Sequence, residues 1–215
     1  MIETPLTPQS FQAETGVSEA ELSTLAAYLD LLRVWQRRLN LVGSSTLADP
    51  WRRHMLDSAQ LFPLIPPATP ERPGAVVDVG SGAGFPGLVL AILGAGDGVA
   101  GGVHLVESDG RKCAFLREAV RVCAAPATVH HGRSERLREP KARVLTARAW
   151  APIERILKQG LHLVAPGGAF LLLKGERADR ELTAAAKRWT MRVERFPSRS
   201  DVRGQIIRIQ DINPK

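Results

Sequence analysis

The stretch VVDVGSGAGFPG, residues 76–87, decides the fold. Three valines, Val76, Val77 and Val79, surround one acid, Asp78, and a turn with Gly80, Gly82 and Gly84 follows. Glycine lets backbone adopt φ > 0 and approach a ligand closely. An apolar run that feeds a glycine-rich turn and then a helix is the ligand cradle of open α/β sheets. Two ligands compete. GAGFPG (82–87) matches the dinucleotide pattern G-x-G-x-x-G, which is weak when it stands alone. Asp78, Gly80, Gly82 and Gly84 match the D-x-G-x-G-x-G turn of an S-adenosylmethionine site.

Three observations favour the methyl donor. Asp78 interrupts an apolar strand, which a pyrophosphate site does not require. Pro86 removes an N–H donor from the helix N-terminus, where a phosphate would need it. The sheet also consumes the chain from 73 to 215, leaving no separate catalytic domain for a nicotinamide-dependent oxidoreductase. Glu107 ends the next apolar run, and a carboxylate there can take both ribose hydroxyls.

Outward from this turn, short apolar runs alternate with helical patterns. Strands are expected at 75–80, 103–108, 127–132, 144–150, 169–175, 191–196 and 205–210. Helices are expected at 86–93, 110–123, 151–163 and 178–188. This pattern predicts an α/β fold with a doubly wound, seven-stranded, largely parallel Rossmann-like sheet. The last two strands have no helix between them and are expected to pair as an antiparallel hairpin at one end. N-terminal to this lies a helical extension. Ser18 and Glu21 form a capping box before a stripe of Leu22, Leu25, Leu29, Leu32, Trp35 and Leu39. That predicts a helix over 18–39, ended by Asn40, and a second helix is expected over 50–63. The proline-rich PPATPERPG (66–74) reads as a linker and GAGDGVAGG (94–102) as a loop. The expected units are an extension with linker, 1–72, and a methyltransferase domain, 73–215.

The chain has 215 residues, is 44% hydrophobic and carries a formal charge of +7. These values suit a globular protein with a polyanionic partner. No apolar run reaches the ~20 residues that span a bilayer, and the N-terminus lacks the apolar region of a signal peptide, so a cytoplasmic location is expected. Cys113 and Cys123 are expected as buried, reduced thiols. No metal ligand set is recognised.

Six segments occur in order: LNLVGS (39–44), RHMLDS (53–58), DVGSGAGFPGLVLAI (78–92), LVESDGRKCAFLRE (105–118), ARAWAPIERIL (147–157) and LLLKG (171–175). Together they closely resemble the bacterial 16S ribosomal RNA (guanine-N7)-methyltransferase family, also called glucose-inhibited division protein B. The resemblance implies a class I methyltransferase fold that uses S-adenosylmethionine and yields S-adenosylhomocysteine. It implies N7 of one guanine in the decoding-region loop of 16S rRNA as acceptor, with 16S rRNA or the small ribosomal subunit as the partner. It places donor contacts on Gly80, Phe85, Ser134, Glu135 and Arg148, and gives Glu107 the ribose role. Asn40, Arg133, Arg148 and Lys174 match polar positions around the pocket, and His54 and Asp57 gain a role. Ser134 stands where the family often has alanine or valine.

Guanine N7 carries no proton and exposes a lone pair, so attack on a sulfonium methyl needs no general base. The work is positioning, which alone contributes about 7–11 kcal/mol. No catalytic residue is therefore assigned, and Asn40, Arg148 and Lys174 are candidates for positioning. His54, Asp57 and Ser58 share one helical turn, which does not give a hydrolytic triad its geometry. Arg133, Arg148 and Lys174 suit phosphates and the guanine O6 edge. Arg33, Arg37, Arg38, Arg52, Arg53, Arg111 and Lys112 are further candidates for backbone contact. Trp150, just past Arg148, is placed to stack on a base, whereas Trp35 belongs to the apolar stripe. A monomer is expected. A small-molecule methyltransferase and a non-catalytic RNA-binding protein on the same fold are the alternatives.

Overall fold

The computed structural model describes residues 4–67, 69, 74–95 and 101–215. Most of the expected linker at 66–74 and half of the glycine-rich loop at 94–102 lie outside these residues. The elements run α1 (Pro8–Thr15), α2 (Glu19–Gln36), α3 (Asp57–Ala59), β1 (Ala75–Val79), α4 (Gly87–Leu93), β2 (Val103–Glu107) and α5 (Gly110–Val122). They continue with β3 (Ala127–His131), β4 (Ala142–Arg148), α6 (Ile153–Gly160), β5 (Val164–Lys174), α7 (Ala178–Ala185), β6 (Trp189–Pro197) and β7 (Gln205–Pro214).

Among the described residues the strands form one seven-stranded sheet in the order β3-β2-β1-β4-β5-β7-β6. The first five are parallel. β7 joins β5 antiparallel, and β6 pairs with β7 as the expected terminal hairpin. The order reverses between β1 and β4, so the carboxyl ends of these strands form the switch point where such sheets bind ligands.

Strand alternation assigns each sheet face to its helices. Val76, Leu105, Val144 and Leu171 face a core shared with Leu25, Tyr28, Leu29, Leu88 and Phe115. Val77, Val79, Val106, Leu145 and Phe170 face a second core with Ile153, Ile156, Leu157 and Leu182. Burial on both faces is why AVVDV is apolar at every position but Asp78. Asp78 points to the first core, beside Gly87 of α4. The N-terminal helices thus pack on the α4–α5 side of the sheet and close over the glycine turn.

Several boundaries differ from expectation. The capping box of Ser18 and Glu21 is formed, but α2 stops at Gln36, short of Leu39 and Asn40. α1 was not anticipated, although Thr7 caps it, Pro8 opens it and Gly16 closes it at φ +73°. The expected helix over 50–63 is a π-helical turn at Trp51–Leu56, continued by α3 and by a 3₁₀ turn at Phe62–Leu64. Wider turns spread RHMLDS differently from an α-helix, which periodicity does not reveal. β4 starts two residues early and ends at Arg148, leaving Ala149 and Trp150 in the following turn. β5 begins at Val164 and not at 169. Cys113 and Cys123 are buried free thiols, as expected, and burial pushes both pKa values up.

Candidate functional site

Gly80, Gly82 and Gly84 have φ values of +66°, +56° and +90°, so the turn is built in the conformation that glycine alone adopts without strain. Asp78 pins it from below. Its Oδ2 accepts from the Gly87 amide at 3.3 Å, and its Oδ1 accepts from Thr146 Oγ1 of β4 at 2.8 Å. Complete burial raises its pKa to about 6, against the lowering effect of these hydrogen bonds. Gly87 is packed so tightly on Asp78 and Leu105 that a Cβ would sit 2.4 Å from Leu105 Cδ2.

Glu107 braces the turn from β2. Its Oε2 accepts from the Gly82 amide at 2.9 Å, and its Oε1 accepts from the amides of Ser108 and Asp109 at 2.7 and 2.8 Å. A carboxylate offers about four acceptor positions. Three are taken here by backbone amides. Tyr28 of α2 secures the turn from the other side, donating from its hydroxyl to the Ala83 carbonyl. This contact was not anticipated. The chain's single tyrosine, lying on a stripe of leucines, was its signal, because a buried phenol requires a partner.

Two clefts meet at the turn. The smaller, about 390 Å³, is lined by Gly80, Gly82, Glu107, Ser134, Glu135 and Trp150, among others. It gathers most of the expected donor residues. Ser134 is buried and Glu135 is held by Gln159. Arg133 also lines this cleft, exposed, although it was expected beside the acceptor. The larger cleft, about 860 Å³, is lined by Thr46, His54, Asp57, Phe85, Arg148 and Lys174, among others. Asn40 is exposed and lines neither cleft. Its neighbours Leu41, Val42 and Gly43 take that place.

The wall of the larger cleft is a polar network laid on Phe85. His54 stacks on the Phe85 ring at 4.7 Å between centroids, and the Arg148 guanidinium lies 4.8 Å from the same ring. Arg148 Nη1 donates to the Arg53 carbonyl at 3.0 Å and to Asp57 Oδ2 at 3.2 Å. Asp57 Oδ1 in turn accepts from Ser200 and Gln60, which ties the β6–β7 connection to the N-terminal segment. Arg53 pairs with Asp201 at 2.9 Å. Burial first, and then Arg148 and Arg53, lower the His54 pKa to about 3. The Lys174 side chain is 8% exposed and engaged, donating to the Ala151 carbonyl at 2.6 Å and pairing with Glu181 at 2.9 Å. It borders the cleft as a paired cation. Of the other basic candidates, Arg33, Arg52 and Arg111 pair with Asp30, Asp49 and Asp109, while Lys112 lines both clefts.

A two-compartment site on this sheet, one side a glycine cradle with a carboxylate on β2, fits S-adenosylmethionine beside an acceptor. The family model for GidB, rRNA small subunit methyltransferase G, matches residues 21–206. The chain belongs to this family. The ribosomal RNA small subunit methyltransferase G of Rhodospirillum centenum is 53% identical over 205 residues, covering 95% of this chain and 91% of the relative. The protein of that name from Rhodospirillum rubrum is 52% identical, covering 97% and 99%. Among solved structures, the fold is similar to that of a putative O-methyltransferase from Klebsiella pneumoniae (TM-score 0.54, 14% identity, 94% of this chain and 97% of the other). It is also similar to a ribosomal protein L11 methylase from Lactobacillus delbrueckii (TM-score 0.52, 15% identity, 64% and 69%). Among the described residues no helix of this GidB-family chain is long and apolar enough to cross a membrane, and no group of three or more His, Cys, Asp or Glu could hold a metal.

Proposed function

We propose that this protein transfers the methyl group of S-adenosylmethionine to N7 of one guanine in the decoding-region loop of 16S rRNA, within the cytoplasmic small ribosomal subunit, acting as a monomer. The observation that carries the reading is the meeting of the two clefts at Gly80 in a chain whose relatives bear the name rRNA small subunit methyltransferase. Residues 73–215 supply the donor turn. Residues 1–72 supply Tyr28, His54 and Asp57, which brace the turn and wall the acceptor cleft.

The donor brings a methyl group on a positively charged sulfur. The chain's own residues bind and position. Asp78, Glu107 and Tyr28 hold the backbone of 80–84 in one shape, and Ser134 and Glu135 border the compartment for the nucleoside. On the acceptor side, Phe85 and Arg148 form the wall nearest the glycine turn, and Lys174 supports the Ala151 carbonyl behind it. The exposed Arg133 and Arg177 suit phosphate contacts at the two mouths. No residue is needed as a base, because N7 has no proton to lose. In keeping with this, both nitrogens of His54 are engaged and Asp57, Asp201 and Glu181 are paired with cations.

The test is tritiated methyl transfer to small subunits from cells lacking the enzyme, followed by borohydride–aniline cleavage, which cuts at 7-methylguanine. One discrete cut is expected. Donor binding without transfer to subunits or purified RNA would overturn the rRNA assignment in favour of a small-molecule acceptor.

A further inference from the structure

We propose that Trp150 is the platform on which the acceptor guanine stacks, and that its indole stabilises the positive charge the base acquires during transfer. This rests on the N7 reaction proposed above and adds the residue that handles its charge.

Trp150 lines both clefts, so it borders the ligands of either. It stands at the switch point, just past β4. Its five-membered ring packs against the first turn glycine, where a Cβ on Gly80 would lie 2.3 Å from Cδ1 and 2.6 Å from Cγ. Ala149, at φ +49°, turns the chain out of the strand to bring it there. The remaining body of the side chain packs on the second core and is half-buried. The indole is thus fixed against the donor turn and still reaches the acceptor cleft. Trp35, Trp51 and Trp189 line neither cleft and pack in the cores.

Charge explains why an aromatic is needed. The N7 lone pair forms the new N–C bond as the C–S bond breaks, and its electron pair goes to sulfur. No proton moves. The positive charge passes from sulfur to the guanine ring. Bare cations beside the base would oppose this; here Arg148, Arg53 and Lys174 are each paired with a carboxylate, and the other cations lining the larger cleft are Lys112 and the exposed Arg177. An indole face attracts a cation more strongly than a neutral ring. That attraction grows along the reaction, so it raises the rate of transfer and not merely the affinity.

The experiment compares Trp150→Phe, which keeps a π face, with Trp150→Leu, which keeps apolar bulk alone. Both lose the indole's packing on Gly80, so the difference between them isolates the ring. Single-turnover transfer to small subunits, with donor and subunits saturating, is expected to fall about three-fold in the Phe variant and about thirty-fold in the Leu variant. Filter binding in the presence of S-adenosylhomocysteine gives a readout apart from turnover. Wild-type protein is expected to retain subunits carrying the N7 methyl more tightly than unmethylated ones, and the Leu variant to hold both equally. Equal transfer rates for Phe and Leu, or an unchanged preference in the Leu variant, would overturn the platform. Wild-type protein that methylates no subunit would remove the proposed reaction itself and this inference with it.

Discussion

Arg148 and His54 meet 3.2 Å apart, Nη2 to Nδ1, over the ring of Phe85. A guanidinium only donates, so Nδ1 accepts and the imidazole is neutral with its proton on Nε2. That proton points to Thr46 Oγ1 at 2.8 Å, and Thr46 passes its own to the Gly43 carbonyl at 2.6 Å. One chain of hydrogen bonds therefore joins β4 to the N-terminal segment along the wall of the larger cleft. Replacing Arg148 with Lys removes the fork that reaches Arg53, Asp57 and His54 together. Transfer is expected to fall at least about ten-fold, with a loss of about 2–3 kcal/mol in urea unfolding. An unchanged rate would show that the network does not shape the site.

The His54 shift has a pH consequence. Its folded pKa, about 3, lies below the ordinary 6.5. The stabilisation is therefore complete above about pH 6.5 and is lost as pH falls towards 3. By pH 5 the loss is on the order of 2 kcal/mol. His54→Asn, which can still accept from Arg148, should flatten the decline in unfolding free energy between pH 7 and 5. A parallel decline in both proteins would count against a neutral, buried His54.

Asp78 runs the other way. Its pKa is raised to about 6, so its contribution is fullest below about pH 4 and is lost as pH rises through 6. Asp78→Asn keeps the amide oxygen as an acceptor for Thr146 or Gly87 and removes the titration. The difference in unfolding free energy between variant and wild type should shift in favour of the variant from pH 5 to pH 7.5, by about 1–2 kcal/mol. A pH-independent difference would show that Asp78 titrates normally.

Gly80→Ala should abolish donor binding in equilibrium dialysis. The new Cβ must take φ +66° and would strike the Trp150 ring. Gly82→Ala keeps the φ penalty, yet its Cβ meets only the Gly80 carbonyl at 3.8 Å. It should weaken donor binding by less. Equal losses would mean that φ strain alone decides the turn.

Tyr28→Phe tests the grip of the extension on the donor turn. The ring packing on Phe85 and Phe115 survives, while the Ala83 carbonyl loses its donor. Stability should fall by about 1–3 kcal/mol, and donor affinity should fall with it. A stability loss with donor affinity intact would separate packing from site-shaping.

The sequence by itself determined the sheet, because two-sided burial leaves apolar runs and bare glycines that no other arrangement explains. It also singled out Asp78, Gly80 and Glu107 for the turn, while Ser134 entered only through the family resemblance. It did not reveal the π-helical turn at 51–56, since an extra residue per turn leaves the same apolar letters in place. Nor did it divide the clefts. Arg133 and Lys174 are both cations in sequence, but one is exposed at the smaller cleft and the other is paired at the edge of the larger one. Only tertiary structure decided that Arg148 meets His54, 94 residues away, that Ser200 reaches Asp57, and that Trp150 lies on Gly80. These contacts depend on the crossing of elements at the switch point, and side-chain direction there is set by packing, which local pattern does not encode.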